Sequence, residues 1–123
     1  MLRIVRHDDV RQLRFTTPYS RSMGFEVSAF EVRGVLIDSG FPDGRRDLAA
    51  WLENNTLDGA IITHYHEDHA GNIQLLAERG IAMRIATETL AKVQAPPPIG
   101  WYRRWCWGSQ PPLTLPVTPF AHH

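Results

Sequence analysis

Three histidines and an aspartate fall within six consecutive positions, at His64, His66, Asp68 and His69. Side chains two apart in extended backbone leave on the same side. His64 and His66 can therefore converge on one metal ion, at Zn–N distances of ~2.0–2.1 Å. Asp68 and His69 follow as the chain turns, and they reach a neighbouring position, either for a second ion or for a metal-bound water. Imidazole and carboxylate donors suit zinc, iron or manganese, as one or two ions, and the residue types do not choose among the three. A divalent ion lowers the pKa of bound water toward ~7 and polarises a carbonyl or phosphoryl oxygen. Asp68 is also the candidate catalytic residue, placed to orient or deprotonate that water. A lone histidine would be read as a polar loop residue, but this density at one junction is a metal motif.

A strand must deliver this motif and a helix must follow it. Ala60-Ile61-Ile62-Thr63 is a short apolar run, read as a buried strand. Ala70 to Arg79 reads as a helix with Ile73, Leu76 and Ala77 on one face and Gly80 as its cap. Upstream, Val35-Leu36-Ile37-Asp38 before Ser39-Gly40 reads as another buried strand ending in a turn. Between the two strands, Leu48, Trp51 and Leu52 have helical spacing, with Asp43 as the expected N-cap and Asn54-Asn55 as the stop. Downstream, Ile81 to Ala86 is strand-like, and Thr87 is expected to cap a short helix through Leu90 and Val93.

The first third alternates as strands do. Leu2 and Ile4, then Val10 to Phe15, then Phe25, Val27, Ala29 and Glu31 on one face, point to antiparallel hairpins, with Pro18-Tyr19-Ser20 as a break. The expectation is an α/β (α+β) chain, a mixed sheet carrying helices, forming a single domain over residues 1–123. Residues 94–123 stand apart as a Pro/Trp-rich loop segment, without helix or strand period.

Composition narrows the function classes. Hydrophobic residues make up 43% and charged residues 21%, which excludes a wholly disordered chain. Lys+Arg and Asp+Glu are both 13, so bulk charge argues against a nucleic-acid partner. Cys106 is the only cysteine, so no internal disulfide is possible, and it reads as a small buried hydrophobe. Met1 to His7 has no apolar core of a signal peptide, and no run is long enough to span a bilayer. A cytoplasmic protein acting on a small-molecule substrate is expected, with no membrane partner.

The stretch Thr63-His64-Tyr65-His66-Glu67-Asp68-His69-Ala70-Gly71-Asn72 resembles the H-x-H-x-D-H motif of the metallo-β-lactamase superfamily. Val35 to Gly40 is similar to the strand-end aspartate that accompanies it, with Asp38 in the supporting position. The resemblance covers about residues 22 to 90. It implies an αββα sandwich with metal at the edge between two sheets. It also implies His64 and His66 as ligands of a first ion, Asp68 and His69 of a second, and Asp38 as the residue that holds the histidine loop. Read from the residues alone, Asp38 is equally a turn-former before Ser39-Gly40.

The family completes its site with later ligands: a His in a Gly-His turn, a bridging Asp and a final His. After His69 the only histidines here are His122 and His123, and no aspartate follows Asp68. The expectation is therefore a sandwich truncated to its first half and incomplete at the C-terminus, with self-association through the surface the second half would cover. His122 is read as terminus rather than as a replacement ligand.

Trp101, Arg103, Arg104 and Trp105 lie in a dense aromatic–arginine cluster. They form a substrate wall, with Arg holding an anionic group, a stacking surface for single-stranded nucleic acid, or a loop packed on the sandwich. Three functions follow. The leading one is a zinc-dependent hydrolase acting on an ester, thioester, lactone, amide or phosphoester. The second is an inactive fragment or metal-binding interaction module. The third and weakest is an RNA or DNA nuclease, which would bind with steep salt dependence.

Overall fold

The computed structural model describes residues 1–63, 66–95 and 113, with the backbone alone for Glu67, Asp68 and Thr87. Six strands form one sheet in sequence order. They are β1 (Leu2–His7), β2 (Val10–Phe15), β3 (Val27–Val32), β4 (Val35–Ile37), β5 (Gly59–Ile62) and β6 (Met83–Ile85). The first four pair antiparallel. β4, β5 and β6 pair parallel, joined through helices as parallel neighbours require. The mixed sheet expected from the sequence is the one observed.

The β3–β4 hairpin closes on Arg33 (φ 50°) and Gly34 (φ 88°). Positive φ at both central residues suits the two-residue hairpin turn, whose twist matches the strands it joins. Glycine is required there, since a Cβ on Gly34 would lie 2.5 Å from Asp58 Oδ2.

α2 (Arg45–Glu53) crosses from β4 to β5. Leu48 is fully buried on its inner side, with Trp51 and Leu52 partly so. Asp43 does not cap it: residues Pro42–Gly44 form a 3-10 turn, Gly44 takes the N-cap position, and no side chain caps the helix. Pro18-Tyr19-Ser20 is likewise more than a break. α1 (Pro18–Ser22) begins there, with Thr17 Oγ1 accepting from the Ser20 amide and Ser20 Oγ from the Thr17 amide. That capping box satisfies two amides that a helix start otherwise leaves unpaired.

The helix predicted over Ala70 to Arg79 is two: α3 (Glu67–Ala70) and α4 (Ile73–Glu78). α4 ends as expected at Gly80 (φ 71°), with Gly80 N–H donating to Ala77 O and Ile81 N–H to Leu76 O, the paired bonds of a glycine-terminated helix. α5 (Thr87–Gln94) starts at Thr87, with Ala86 rather than Thr87 in the N-cap position. Its Val93 carbonyl accepts from the buried Leu113.

One face of the sheet carries the core. Leu13, Phe15, Val27, Ala29, Leu36, Ala60, Ile62 and Ile85 join Leu48, Ile73, Leu76, Leu90 and Val93 of the helices in one cluster. Glu31 shares that face, as the alternation predicted, and is 6% exposed. Phe25, expected on the same face, lies ahead of β3 and is exposed. The opposite face carries Phe30, Ile37 and Ile61 as direct cross-strand neighbours. Phe30 and Ile61 are 37% and 36% exposed.

Candidate metal centre

β4 and β5 run parallel, so their C-terminal ends lie side by side, and both candidate segments leave from that edge. Asp38 follows β4 with φ 66°, a conformation Asp and Asn tolerate better than other non-glycine residues. Its amide donates to Ile61 O at 2.8 Å, so it stays anchored to β5 while the chain turns.

The Asp38 carboxylate is 9% exposed and collects three donors. Thr63 gives its amide to Oδ1 at 2.8 Å and its hydroxyl at 2.9 Å. His69 Nδ1 lies 2.8 Å from Oδ2. Burial pushes this carboxyl up, but the bonds from His69 and Thr63 outweigh it and hold the carboxyl below its ordinary value. An ionised carboxylate only accepts, so Nδ1 of His69 carries the proton. Nε2 of the same ring is then the lone-pair nitrogen. The His69 side chain is 29% exposed, so that nitrogen belongs to a ring solvent can reach.

The loop after Asp38 is bonded along its length to residues 69–72. Ser39 donates its amide (2.7 Å) and hydroxyl (2.9 Å) to His69 O. Gly71 N–H donates to Gly40 O at 3.0 Å. Asn72 donates its amide to Ser39 Oγ at 3.0 Å and its side-chain N–H to Ser39 O and Phe41 O, both at 2.8 Å. The Gly71 and Asn72 amides are thus spent on the loop instead of on a helical ladder, which explains the break between α3 and α4. Ser39 and Asn72 are buried. From the sequence Ser39 is a turn residue and Asn72 has no assigned part; a polar residue beside each apolar run is the signal both carry.

His66 sits at the start of α3, exposed, and its carbonyl accepts from the amides of His69 (2.9 Å) and Ala70 (2.8 Å). His64 and the Asp68 side chain lie outside the described residues, as do Trp101, Arg103, Arg104, Trp105 and His122. Among the described residues no group of three or more His, Cys, Asp or Glu is gathered to hold a metal. The described part of the motif nevertheless fits one in its donor chemistry. His69 is oriented through Nδ1, the arrangement by which carboxylates orient metal-binding imidazoles, and His66 opens the helix on which it lies. No described helix is long and apolar enough to cross a membrane.

A family model described as the metallo-beta-lactamase superfamily matches residues 27–104. The chain is similar in fold to the metallo-β-lactamase FIM-1 of Pseudomonas aeruginosa, solved in a mono-zinc form, with TM-score 0.62 and 17% identity over 74% of this chain and 44% of that one. It is similar also to the metallo-β-lactamase of Pontibacter korlensis, with TM-score 0.61 and 19% identity over 74% and 46%. For DIM-1, a metallo-β-lactamase crystal exposed to ceftazidime, the values are 0.59 and 22% over 75% and 46%. This chain therefore spans less than half the length of the solved structures it matches. No curated protein matches it.

Proposed function

The chain belongs to the metallo-β-lactamase superfamily, and from that premise we propose that it is the metal-binding part of a zinc-dependent hydrolase of esters, thioesters, lactones, amides or phosphoesters. The observation that carries the reading is the Asp38–His69 pair. A buried carboxylate that fixes Nδ1–H of an imidazole 29% exposed makes Nε2 the nitrogen whose lone pair would bind the ion. His64 and His66 would hold a first ion, and Asp68 and His69 a second. Zinc bound there would supply hydroxide at neutral pH and polarise the scissile carbonyl or phosphoryl oxygen. The chain's own part is to hold the histidines without rearrangement: Asp38 sets the His69 ring, Ser39 and Asn72 fix the backbone that carries it, and Asp68 orients the attacking water.

Zinc per chain after exhaustive dialysis, for wild type and His66→Ala, tests this. At least one tightly held ion, lost from a folded variant, is expected. Well-folded wild type that retains no zinc would overturn it.

A second reading is a metal-binding interaction module, with metal uptake without turnover. It predicts the same zinc content but no chelator-sensitive hydrolysis across a panel of esters and phosphoesters.

A further inference from the structure

Phe30 pairs with Ile37 and Phe15 with Val27, so Phe15 lies past the end of β4, level with the loop that holds His69. Its ring confirms the placement, because a Cβ on Gly40 would lie 2.8 Å from it. On that same end of the sheet, but on the face away from Phe15, an open cleft of about 490 Å³ is lined by Arg3, Arg14, Thr16, Arg21, Phe25 and Glu26, with Met1 and Gly24. Small-molecule sites run to roughly 300–1,000 Å³.

The cleft is unbalanced in charge. Arg3 and Arg14 are direct cross-strand partners, an arrangement that like charges make unfavourable. Glu26 is the only acid among the lining residues, and both its oxygens are taken by Arg14, with Nη2 at 2.6 and 2.7 Å. The Arg3 guanidinium has no hydrogen bond or ion pair among the described residues, and the Arg21 guanidinium reaches only the Met1 sulfur, at 3.9 Å. Three guanidinium groups thus face one carboxylate. Phe25, 53% exposed, adds an apolar surface. Among the described residues, the hydroxyl of Thr16 alone is a buried side-chain group without a hydrogen-bond partner, a state that polar groups avoid.

We propose that this cleft binds a small organic anion, a carboxylate or phosphate ester with an apolar body, through Arg3 and Arg21, with Phe25 against the body. Sharing a sheet end with His69, it is the recognition end for a substrate of the same class; that role rests on the hydrolase reading, while the binding does not.

Titration of zinc-free, dialysed protein with phenyl phosphate, and with benzyl alcohol as its neutral counterpart, tests the binding. Saturable binding of phenyl phosphate alone is expected, at least tenfold weaker in the double variant Arg3→Gln/Arg21→Gln and unchanged in Arg46→Gln on α2. Equal affinity in all three proteins, or no saturable binding to folded wild type, overturns the proposal. So does capture by phosphatidylglycerol vesicles without phenyl phosphate binding, which would assign the arginines to a lipid surface. With zinc-loaded protein, the double variant should raise KM for 4-acetoxybenzoate but not for phenyl acetate. If no member of a panel of esters, thioesters, lactones, amides and phosphoesters is cleaved while phenyl phosphate still binds, the hydrolase reading fails and the anion site stands.

Discussion

Asp38 answers to two requirements at once. Its backbone is left-handed, and its carboxylate is the shared acceptor for Thr63 and His69. Asn keeps the first property, since it also tolerates that conformation, and loses the charge. Asp38→Asn is therefore expected to fold and to bind zinc about 10–100-fold more weakly, the usual cost of removing a carboxylate behind a metal-binding imidazole. Competition against a chromophoric chelator measures this; unchanged affinity would show that Asp38 serves the turn alone. At this scale the motif was legible and its support only half so. The spacing of His64, His66, Asp68 and His69 names a metal site from residue types alone. That Asp38 reaches His69 across 31 positions follows from parallel pairing of β4 with β5, which no local pattern encodes.

Elements position the site through glycine contacts as much as through strands. Gly40 has φ 73° and no room for a Cβ beside Phe15, whereas Gly24 has φ 77° with nothing within 4 Å of a Cβ. Gly24→Ala is expected to cost about 1 kcal/mol, the conformational penalty alone. Gly40→Ala adds displacement of the Phe15 ring, about 1–3 kcal/mol more. Urea midpoints of the two variants separate the terms, and equal losses would mean that Phe15 yields freely. Strand alternation and the β4–α2–β5 crossover were readable because period 2 and period 3.6 are written in the apolar residues. The split of α3 from α4 was not, because Ile73, Leu76 and Ala77 keep helical period while the Gly71 and Asn72 amides are diverted to Gly40 and Ser39, far upstream. α1 was legible in principle, as Thr17-Pro18-Tyr19-Ser20 carries both a cap and a proline at the first turn.

Across the whole molecule, the sheet end opposite the histidines is closed by a polar network. Arg11 donates to Glu31 (2.8 Å) and Asn55 (2.8 Å), and its guanidinium lies 5.3 Å from the Trp51 ring. Glu31 also accepts from the Gly34 amide (2.9 Å), so one residue pair ties β2, β3, the hairpin turn and α2 together. The bond from Arg11 holds the Glu31 carboxyl below its ordinary value of 4.5, against the opposing effect of burial. Its contribution to stability is thus fully present above pH 4.5 and is lost as pH falls through the lowered value. Glu31→Gln is expected to cost about 1–3 kcal/mol at pH 7, with the gap to wild type closing as the pH falls below 4.5 and through the lowered value. A gap that stays constant over that range, in urea melts, would remove the charge from the account. The sequence placed Glu31 on the buried face but gave no partner, since Arg11 becomes its neighbour only through strand register. The arginines of the cleft were hidden for the same reason.

The left-handed turn at Asp38 also limits how this position can drift. Of the common side chains, Gly, Asn and Asp enter that backbone region readily, and only Asp brings a carboxylate. Glutamate carries the same charge one carbon further out, and it enters that region only at a cost of about 1–2 kcal/mol, as Arg33 does at φ 50°. A saturation library at this codon would therefore sort into tiers: a few residues that keep the fold, and a single one that keeps both the fold and the poise of His69.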